Sequence, residues 1–371
     1  MDPLRIAFFG PVNSGKSSLV NAIAGQEVSL VSSTPGTTTD PVRKRIELPG
    51  VGACVLIDTA GLDDPGLLGP ERTRLTRGIL DETDIAVVLV PAGGAVPMEP
   101  GLMDAPTVIR VMAKADAGGT APPGVLPVSA RTGEGIPELL RQIALAARPE
   151  EERFLTGSLV HPGDSVLLVM PQDSEAPKGR LILPQVQVLR ELLDRGCVPH
   201  CCTPDTLQAA LASLGKRPDL VITDSKVFRE VDRAIPPACP LTSFSILLAA
   251  AKGDIRTFAE GAEAIGTLKP EDRVLIAEAC THVPDTEDIG RVRIPALLRK
   301  KAPVRVDIAA GNDFPEDLTP YALVIHCGAC VANRALVRAR IRKALLAGVP
   351  ITNYGIALAK LQGILDRVCL P

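Results

Sequence analysis

The apolar run Leu4–Phe9 passes directly into Gly10-Pro11-Val12-Asn13-Ser14-Gly15-Lys16-Ser17, and a helical pattern follows over residues 16–24. This is G-x-x-x-x-G-K-S/T in the context its chemistry requires, between a buried strand and a helix. Two glycines let backbone N–H groups wrap phosphates, Lys16 places a point charge against the β/γ-phosphates, and Ser17 offers a hydroxyl to Mg²⁺. The expected nucleotide contacts here are Gly10, Asn13, Ser14, Gly15, Lys16, Ser17 and Ser18. Such a loop commits the chain to an α/β fold that begins with a central strand.

The rest of the first 150 residues keeps that grammar. Residues 42–48 and 53–57 read as a hairpin around Pro49-Gly50, followed by strands at 85–90, 108–113 and 125–128 and a helix at 136–146. The charged segment Arg148-Pro149-Glu150-Glu151-Glu152-Arg153 marks a boundary. Strands at 165–170, 197–203, 220–223 and 240–244 alternate with helices near 185–195, 205–214 and 226–234. A helix at 254–265 opens a third stretch, with strands at 274–279, 304–309, 322–325 and 351–353 and helices at 332–346 and 356–368. The expectation is an α/β protein of three tandem domains, 1–150, 158–253 and 254–371, each a mainly parallel sheet flanked by helices, the first with a P-loop GTPase fold. No exact repeat is visible, although the second and third stretches share one alternating pattern.

Three segments point to guanine rather than adenine. Asp58-Thr59-Ala60-Gly61 closes the second hairpin strand, where Asp58 can hold the metal's water shell and the Gly61 N–H can meet the γ-phosphate. Gly36-Thr37-Thr38-Thr39-Asp40 lies where a switch loop senses γ-phosphate and Mg²⁺, so Ser17, Thr38 and, through water, Asp58 are the expected magnesium contacts. Lys114-Ala115-Asp116 and Ser129-Ala130 each follow a strand, and Asp116 can accept from both guanine N1–H and N2–H₂. Ala113 stands at the first position of the usual N-K-x-D, and the loss of that amide predicts weaker affinity.

Together these motifs resemble the translation-factor-like GTPases of the TrmE/Era group over residues 4–147. The resemblance implies two further features. Asn13 falls where potassium-activated members coordinate a monovalent cation, and Leu62 stands where Ras-like enzymes place a water-orienting Gln. Intrinsic hydrolysis is then expected to be slow and K⁺-stimulated.

The chain has nine cysteines, four histidines and a formal net charge of −3. In a reducing compartment the cysteines are core fillers or metal ligands rather than disulfides. Cys280-Thr281-His282 and His326-Cys327-Gly328-Ala329-Cys330 each follow a strand of the C-terminal stretch, and strand ends of a parallel sheet converge on one rim. Three thiolates with an imidazole suit Zn²⁺ or a 4Fe-4S cluster, and the residue types leave both open. Cys54, Cys239 and Cys369 read as packing residues. Cys197, Cys201 and Cys202 do so too, because neighbours in a strand point to opposite faces and cannot chelate one ion. His161, before Pro162-Gly163, reads as a solvated linker residue.

C-x-H followed by H-C-x-x-C, behind such a GTPase and ahead of Ile351-Thr352-Asn353-Tyr354-Gly355, resembles the HydF family of FeFe-hydrogenase maturation GTPases. The likeness extends over Glu278-Ala279-Cys280-Thr281-His282 and Asp288-Ile289-Gly290-Arg291-Val292, while Val283 stands where many members have a second His. It implies a GTPase, a dimerisation and a cluster domain, with GTP, Mg²⁺, K⁺ and a 4Fe-4S cluster as cofactors. The residues matching the family's ligands are Cys280, Cys327 and Cys330, with His326 or His282 as an exchangeable fourth. It also implies a homodimer that carries a diiron precursor to apo FeFe-hydrogenase and depends on the maturases HydE and HydG.

Composition narrows the alternatives. Seven Phe, two Tyr and no Trp cannot build stacking platforms for single-stranded nucleic acid, and a charge of −3 lacks the footprint of a phosphate-backbone binder. This weighs against a regulatory TrmE/Era-like GTPase with a structural Cys₃His zinc domain acting on RNA. A redox metalloenzyme is disfavoured too, since no acid/base pair accompanies the cysteines. No membrane partner is expected, because the apolar run at 79–90 is broken by Asp81, Glu82 and Asp84. Met1-Asp2-Pro3-Leu4-Arg5 shows no signal-peptide pattern, so the expected location is cytoplasmic.

Overall fold

The computed structural model describes residues 3–25, 41–61, 76–91, 102, 105–147, 154–172, 179–279 and 288–371. The chain divides into two compact units, Met1–Glu151 and Glu152–Pro371.

The first unit contains one six-stranded sheet. In chain order its strands are β1 (Leu4–Phe9), β2 (Val42–Leu48), β3 (Gly52–Asp58), β4 (Ile85–Leu89), β5 (Thr107–Met112) and β6 (Leu126–Pro127), arranged β2-β3-β1-β4-β5-β6. Among the described residues only the β2–β3 pair is antiparallel. β1 shows why both faces are covered. Its alternate residues divide between two cores, Ile6 and Phe8 packing with Leu19 and Leu56, Ala7 and Phe9 with Ile57 and Ile79. A strand buried on both faces reads as a continuous apolar run, as Leu4–Phe9 does.

The second unit contains two four-stranded parallel sheets. The middle sheet uses β7 (Ser165–Val169), β8 (Val198–Cys202), β9 (Leu220–Thr223) and β10 (Leu241–Ser243) in the order β10-β9-β7-β8. The C-terminal sheet uses β11 (Arg273–Glu278), β12 (Arg305–Ala310), β13 (Leu323–His326) and β14 (Ile351–Asn353) in the order β12-β11-β13-β14. Read from their β8 and β12 edges, the two sheets have the same topology. Once the strands are placed side by side a sequence echo appears. Leu220-Val221-Ile222-Thr223-Asp224 occupies the place of Leu323-Val324-Ile325-His326-Cys327, and Leu241-Thr242-Ser243-Phe244-Ser245-Ile246 that of Ile351-Thr352-Asn353-Tyr354-Gly355-Ile356. Cys327 therefore stands where the middle sheet has Asp224.

These two sheets share a core. The helix Phe244–Lys252 leaves β10 with Ser243 as N-cap, its hydroxyl accepting from the Ile246 N–H at 3.3 Å. Phe244 and Leu247 pack beneath the middle sheet, whereas Ile246 and Ala249 join a cluster that runs from Leu167 and Val221 to Val274, Ile325 and Ile356. A helix apolar on every side is buried on every side. Helix ends elsewhere differ slightly from the sequence expectation: Asp254 and Asn333 are N-caps, so their helices are Ile255–Ala262 and Arg334–Leu346. The last long helix, Tyr354–Leu361, stops before Gly363, whose φ of +71° favours glycine. No helix among the described residues is long and apolar enough to cross a membrane.

Candidate functional sites: a nucleotide loop and a cysteine loop

In the first unit the rim formed by the carboxyl ends of β1, β3, β5 and β6 gathers most of the expected nucleotide contacts. The loop from Gly10 to Gly15 turns off β1 into the helix Lys16–Ala24, with Gly15 at φ +98° and Asn13 at +58°. Gly10 lies so close to β4 that a Cβ there would sit 2.8 Å from the Leu89 Cβ. Lys16, nearly buried, donates to the Gly10 and Pro11 carbonyls at 3.0 and 2.7 Å. Ser17 and Ser18 occupy the first turn of that helix. The Ser14 hydroxyl is buried with no hydrogen-bond partner among the described residues, which suits a loop that takes up an anionic ligand.

β3 runs in register with β1, pairing Phe8 with Asp58 and bringing the fully buried Asp58 to the same rim. The Thr59 hydroxyl donates to the Phe8 carbonyl at 2.6 Å and pins the turn. Gly61 then passes against the phosphate loop, and a Cβ on it would lie 2.3 Å from Val12 Cγ2 and 2.8 Å from the Val12 nitrogen.

On the base side, Lys114 adopts φ +61° and its Nζ donates to the Asn13 carbonyl at 2.7 Å. This lysine ties the base loop to the phosphate loop where the usual N-K-x-D asparagine is replaced by Ala113. Asp116 accepts from the Ser129 hydroxyl on one oxygen and from Arg131 Nε at 2.7 Å on the other. These donors, Ser129 first, hold its carboxyl below the usual range and keep it an acceptor. Ser129 is fully buried, with Ala130 beside it. Arg131 was not among the expected contacts; its signal was its place directly after Ser129-Ala130. Thr38 and Leu62 lie outside the described residues.

In the second unit the cysteine loop sits on the rim of the C-terminal sheet. β11 and β13 pair Ala277 with His326, and the ladder continues as the Cys327 N–H donates to the Ala277 carbonyl at 2.9 Å. This places the Cys327 sulfur at the end of β11, where it accepts from the Ala279 N–H at 3.1 Å and the Ala329 N–H at 3.4 Å. Backbone N–H groups aimed at sulfur stabilise a thiolate, the form that binds a metal. The turn to Cys330 needs Ala329 in the left-handed region, at φ +52°. Cys327 and Cys330 are both half-buried. Two soft sulfur donors on one turn fit a zinc ion or an iron–sulfur cluster. Cys280 and His282 lie outside the described residues, and among the described residues no three His, Cys, Asp or Glu side chains form a group able to hold a metal ion.

His326 is committed to the protein. Its Nε2 faces Arg340 Nη1 at 3.2 Å, and a guanidinium only donates, so Nε2 accepts and Nδ1 carries the proton donated to the Cys327 carbonyl at 2.8 Å. Full burial, with the Arg340 charge second, pushes its pKa down to about 3 and keeps the ring neutral. For His326 to ligate a metal, the hydrogen bond at the ligating nitrogen has to break.

Further polar residues surround the loop, drawn from the segments that carry the family resemblance. Glu278, 1% exposed, pairs with Arg291 at 2.7 Å. The Tyr354 hydroxyl is buried without a partner among the described residues, and burial, then Cys327, Glu278 and Asp288, raise its pKa well above the usual value, keeping the phenol protonated. The remaining cysteines divide unevenly. Cys54, Cys197 and Cys239 are buried as expected for packing, whereas Cys201 is exposed and Cys202 half-buried because β8 is an edge strand. Burial pushes the Cys202 thiol up to about 11, away from a thiolate ligand.

Residues 5–112 match the model for a 50S ribosome-binding GTPase. Residues 155–253 match the hydrogen maturase F dimerization domain, and residues 256–371 the hydrogen maturase F tetramerization domain. The tRNA modification GTPase MnmE of Parvibaculum lavamentivorans is 38% identical over 148 residues, covering 40% of this chain and 33% of its own length. MnmE of Acidiphilium cryptum is 42% identical over 151 residues, covering 40% and 33%. The chain thus spans about a third of the length of these curated relatives. Among solved structures, Aquifex aeolicus Era is 19% identical with a TM-score of 0.36, covering 58% of this chain and 99% of its own. The FeoB G-domain from Methanococcus jannaschii is 23% identical with a TM-score of 0.32, covering 40% and 100%. The N-terminal unit carries a GTPase domain, which supports binding of GTP and Mg²⁺, and the two maturase domains support self-assembly. With both maturase models matched in tandem behind that GTPase domain, the chain belongs to the hydrogen maturase F (HydF) family.

Proposed function

We propose that the chain is a GTP-hydrolysing scaffold that holds a 4Fe-4S cluster on Cys280, Cys327 and Cys330 and carries a diiron precursor to apo FeFe-hydrogenase. The observation that carries the reading is the Cys327 sulfur, set on the rim of a parallel sheet and met by two backbone N–H groups, inside the segment that matches a maturase domain. Bound there, the cluster supplies an iron-rich platform for the precursor. The chain's own part is to present thiolates, keep the His326 ring neutral and hold the turn rigid. His282 is the favoured exchangeable fourth ligand, since both His326 ring nitrogens are engaged. HydE and HydG are the proposed suppliers, in the cytoplasm, and a homodimer formed along the exposed β8 edge is the proposed assembly.

In the nucleotide site, Lys16 and the loop N–H groups take the phosphates, Ser17, Thr38 and Asp58 surround Mg²⁺, and Asp116 reads guanine. Asn13 is proposed to help bind K⁺ beside the phosphates. GTP turnover is expected to be about tenfold faster in K⁺ than in Na⁺, a modest share of the ~10³-fold or more that an arginine finger supplies. Asn13→Ala should abolish that difference, and equal rates of the parent in both salts would refute the potassium site.

Anaerobic reconstitution with iron and sulfide tests the cluster. Cys280→Ala, Cys327→Ala and Cys330→Ala are each expected to lose most of the bound iron while retaining GTP turnover. A parent that instead isolates colourless with one zinc per chain would favour the regulatory GTPase with a structural zinc site.

A further inference from the structure

The helix Phe244–Lys252 belongs to the middle sheet, yet it ends against the cysteine loop of the C-terminal sheet. Lys252 closes this apolar helix and is only 7% exposed. Its Nζ donates to the carbonyls of Ala329 at 2.8 Å, Cys330 at 3.2 Å and Ala332 at 2.7 Å. Three carbonyls converging on one nitrogen require three N–H donors, which only the ammonium form supplies. A positive charge is thus buried behind the turn that links Cys327 to Cys330. The other end of the helix meets the same turn: Ser245 Oγ lies 3.6 Å from where a Cβ on Gly328 would sit. Ser245 also accepts from Asn353 Nδ2 through its carbonyl at 3.2 Å, fixing the helix to the end of β14.

We propose that Lys252 is a positioning residue for the metal centre: its ammonium shapes the Cys327–Cys330 turn and sets the positive charge beside the bound cluster. The proposal rests on the reading of Cys280, Cys327 and Cys330 as cluster ligands. Its physical content is twofold. The three hydrogen bonds hold the left-handed turn at Ala329 in place, so the middle sheet shapes the ligand loop of its neighbour. The charge stabilises the reduced cluster, which carries one more electron, over the oxidised one.

The test uses the full chain, reconstituted anaerobically with iron and sulfide, then reduced by one electron with dithionite under an EPR-monitored redox titration. Lys252→Gln keeps two N–H donors and removes the charge; Lys252→Arg keeps the charge. At the potential where half the parent's cluster is reduced, the ratio of reduced to oxidised cluster should fall about tenfold in Lys252→Gln, as expected for one lost charge nearby. In Lys252→Arg it should stay within about twofold of the parent. A Lys252→Gln protein that binds no iron, while keeping the parent's circular dichroism and GTP turnover and while Lys252→Arg loads normally, also supports the role. Full loading with the parent's ratio in Lys252→Gln overturns it, as does equal iron loss in both variants. A parent that takes up no cluster defeats the underlying reading, and the inference with it.

Discussion

Replacing Arg340 by methionine is expected to lower the stability of the second unit by about 3–5 kcal/mol, the cost of leaving several buried hydrogen-bond acceptors without a donor. Arg340 is 1% exposed in the helix Arg334–Leu346. Its guanidinium donates to the carbonyls of Glu278 at 3.1 Å and Gly311 at 2.6 Å, faces His326 Nε2, and lies 4.8 Å from the centre of the Phe314 ring. One side chain thus joins the ends of β11, β12 and β13 beneath the cysteine loop. Methionine approximates the aliphatic stem but leaves two carbonyls and an imidazole nitrogen dry, each costing about 1–3 kcal/mol. Urea unfolding followed by far-UV circular dichroism measures the loss, since a chain without Trp gives little fluorescence signal. A midpoint unchanged from the parent would contradict the network's role.

The second large effect is kinetic. Gly61→Ala is expected to reduce GTP hydrolysis by about 10²–10³-fold, the range seen when one hydrogen-bond donor to a developing charge is lost. The added Cβ would sit 2.3 Å from Val12 Cγ2 and 2.8 Å from the Val12 nitrogen, so backbone rather than a flexible tip has to yield. Either the phosphate loop moves or the Gly61 N–H turns away from the place proposed for the γ-phosphate. Overpacking of this kind costs about 1–3 kcal/mol, so the unit should still fold. Single-turnover phosphate release in K⁺ with Mg²⁺ is the measurement, and a near-parental rate would show that Gly61 and Val12 can separate without consequence.

What could be read in advance was local in sequence. The phosphate loop, Asp58 to Gly61, and Cys327 to Cys330 are short segments whose residue types and strand context carry the proposed chemistry. Contacts between distant segments could not be read: Lys252 lies 78 residues from Cys330, and Arg340 lies 62 from Glu278. Helix Phe244–Lys252 escaped notice because a helix apolar on all sides has no 3.6-residue alternation to detect. Helix Ile294–Lys301 was missed as well; it follows the wide turn Ile289–Arg293 and carries Pro295 in its first turn. The shared core is illegible for the same reason, since the first of these helices packs against both sheets. The matching strand order of the two sheets is set by pairing, which the sequence does not display, and the sequence echo is confined to two short strands of each sheet and the residues just after them. That echo sharpens the site: the same rim position holds Asp224 in one sheet and Cys327 in the other.

The central claim is that one chain joins a GTPase domain to an iron–sulfur centre held on the C-terminal rim. It is tested most directly by the EPR spectrum of the anaerobically reconstituted, dithionite-reduced protein. The account predicts the signal of a single reduced 4Fe-4S cluster, absent from Cys327→Ala. An EPR-silent, colourless parent with zinc bound in equal amount to protein would contradict it.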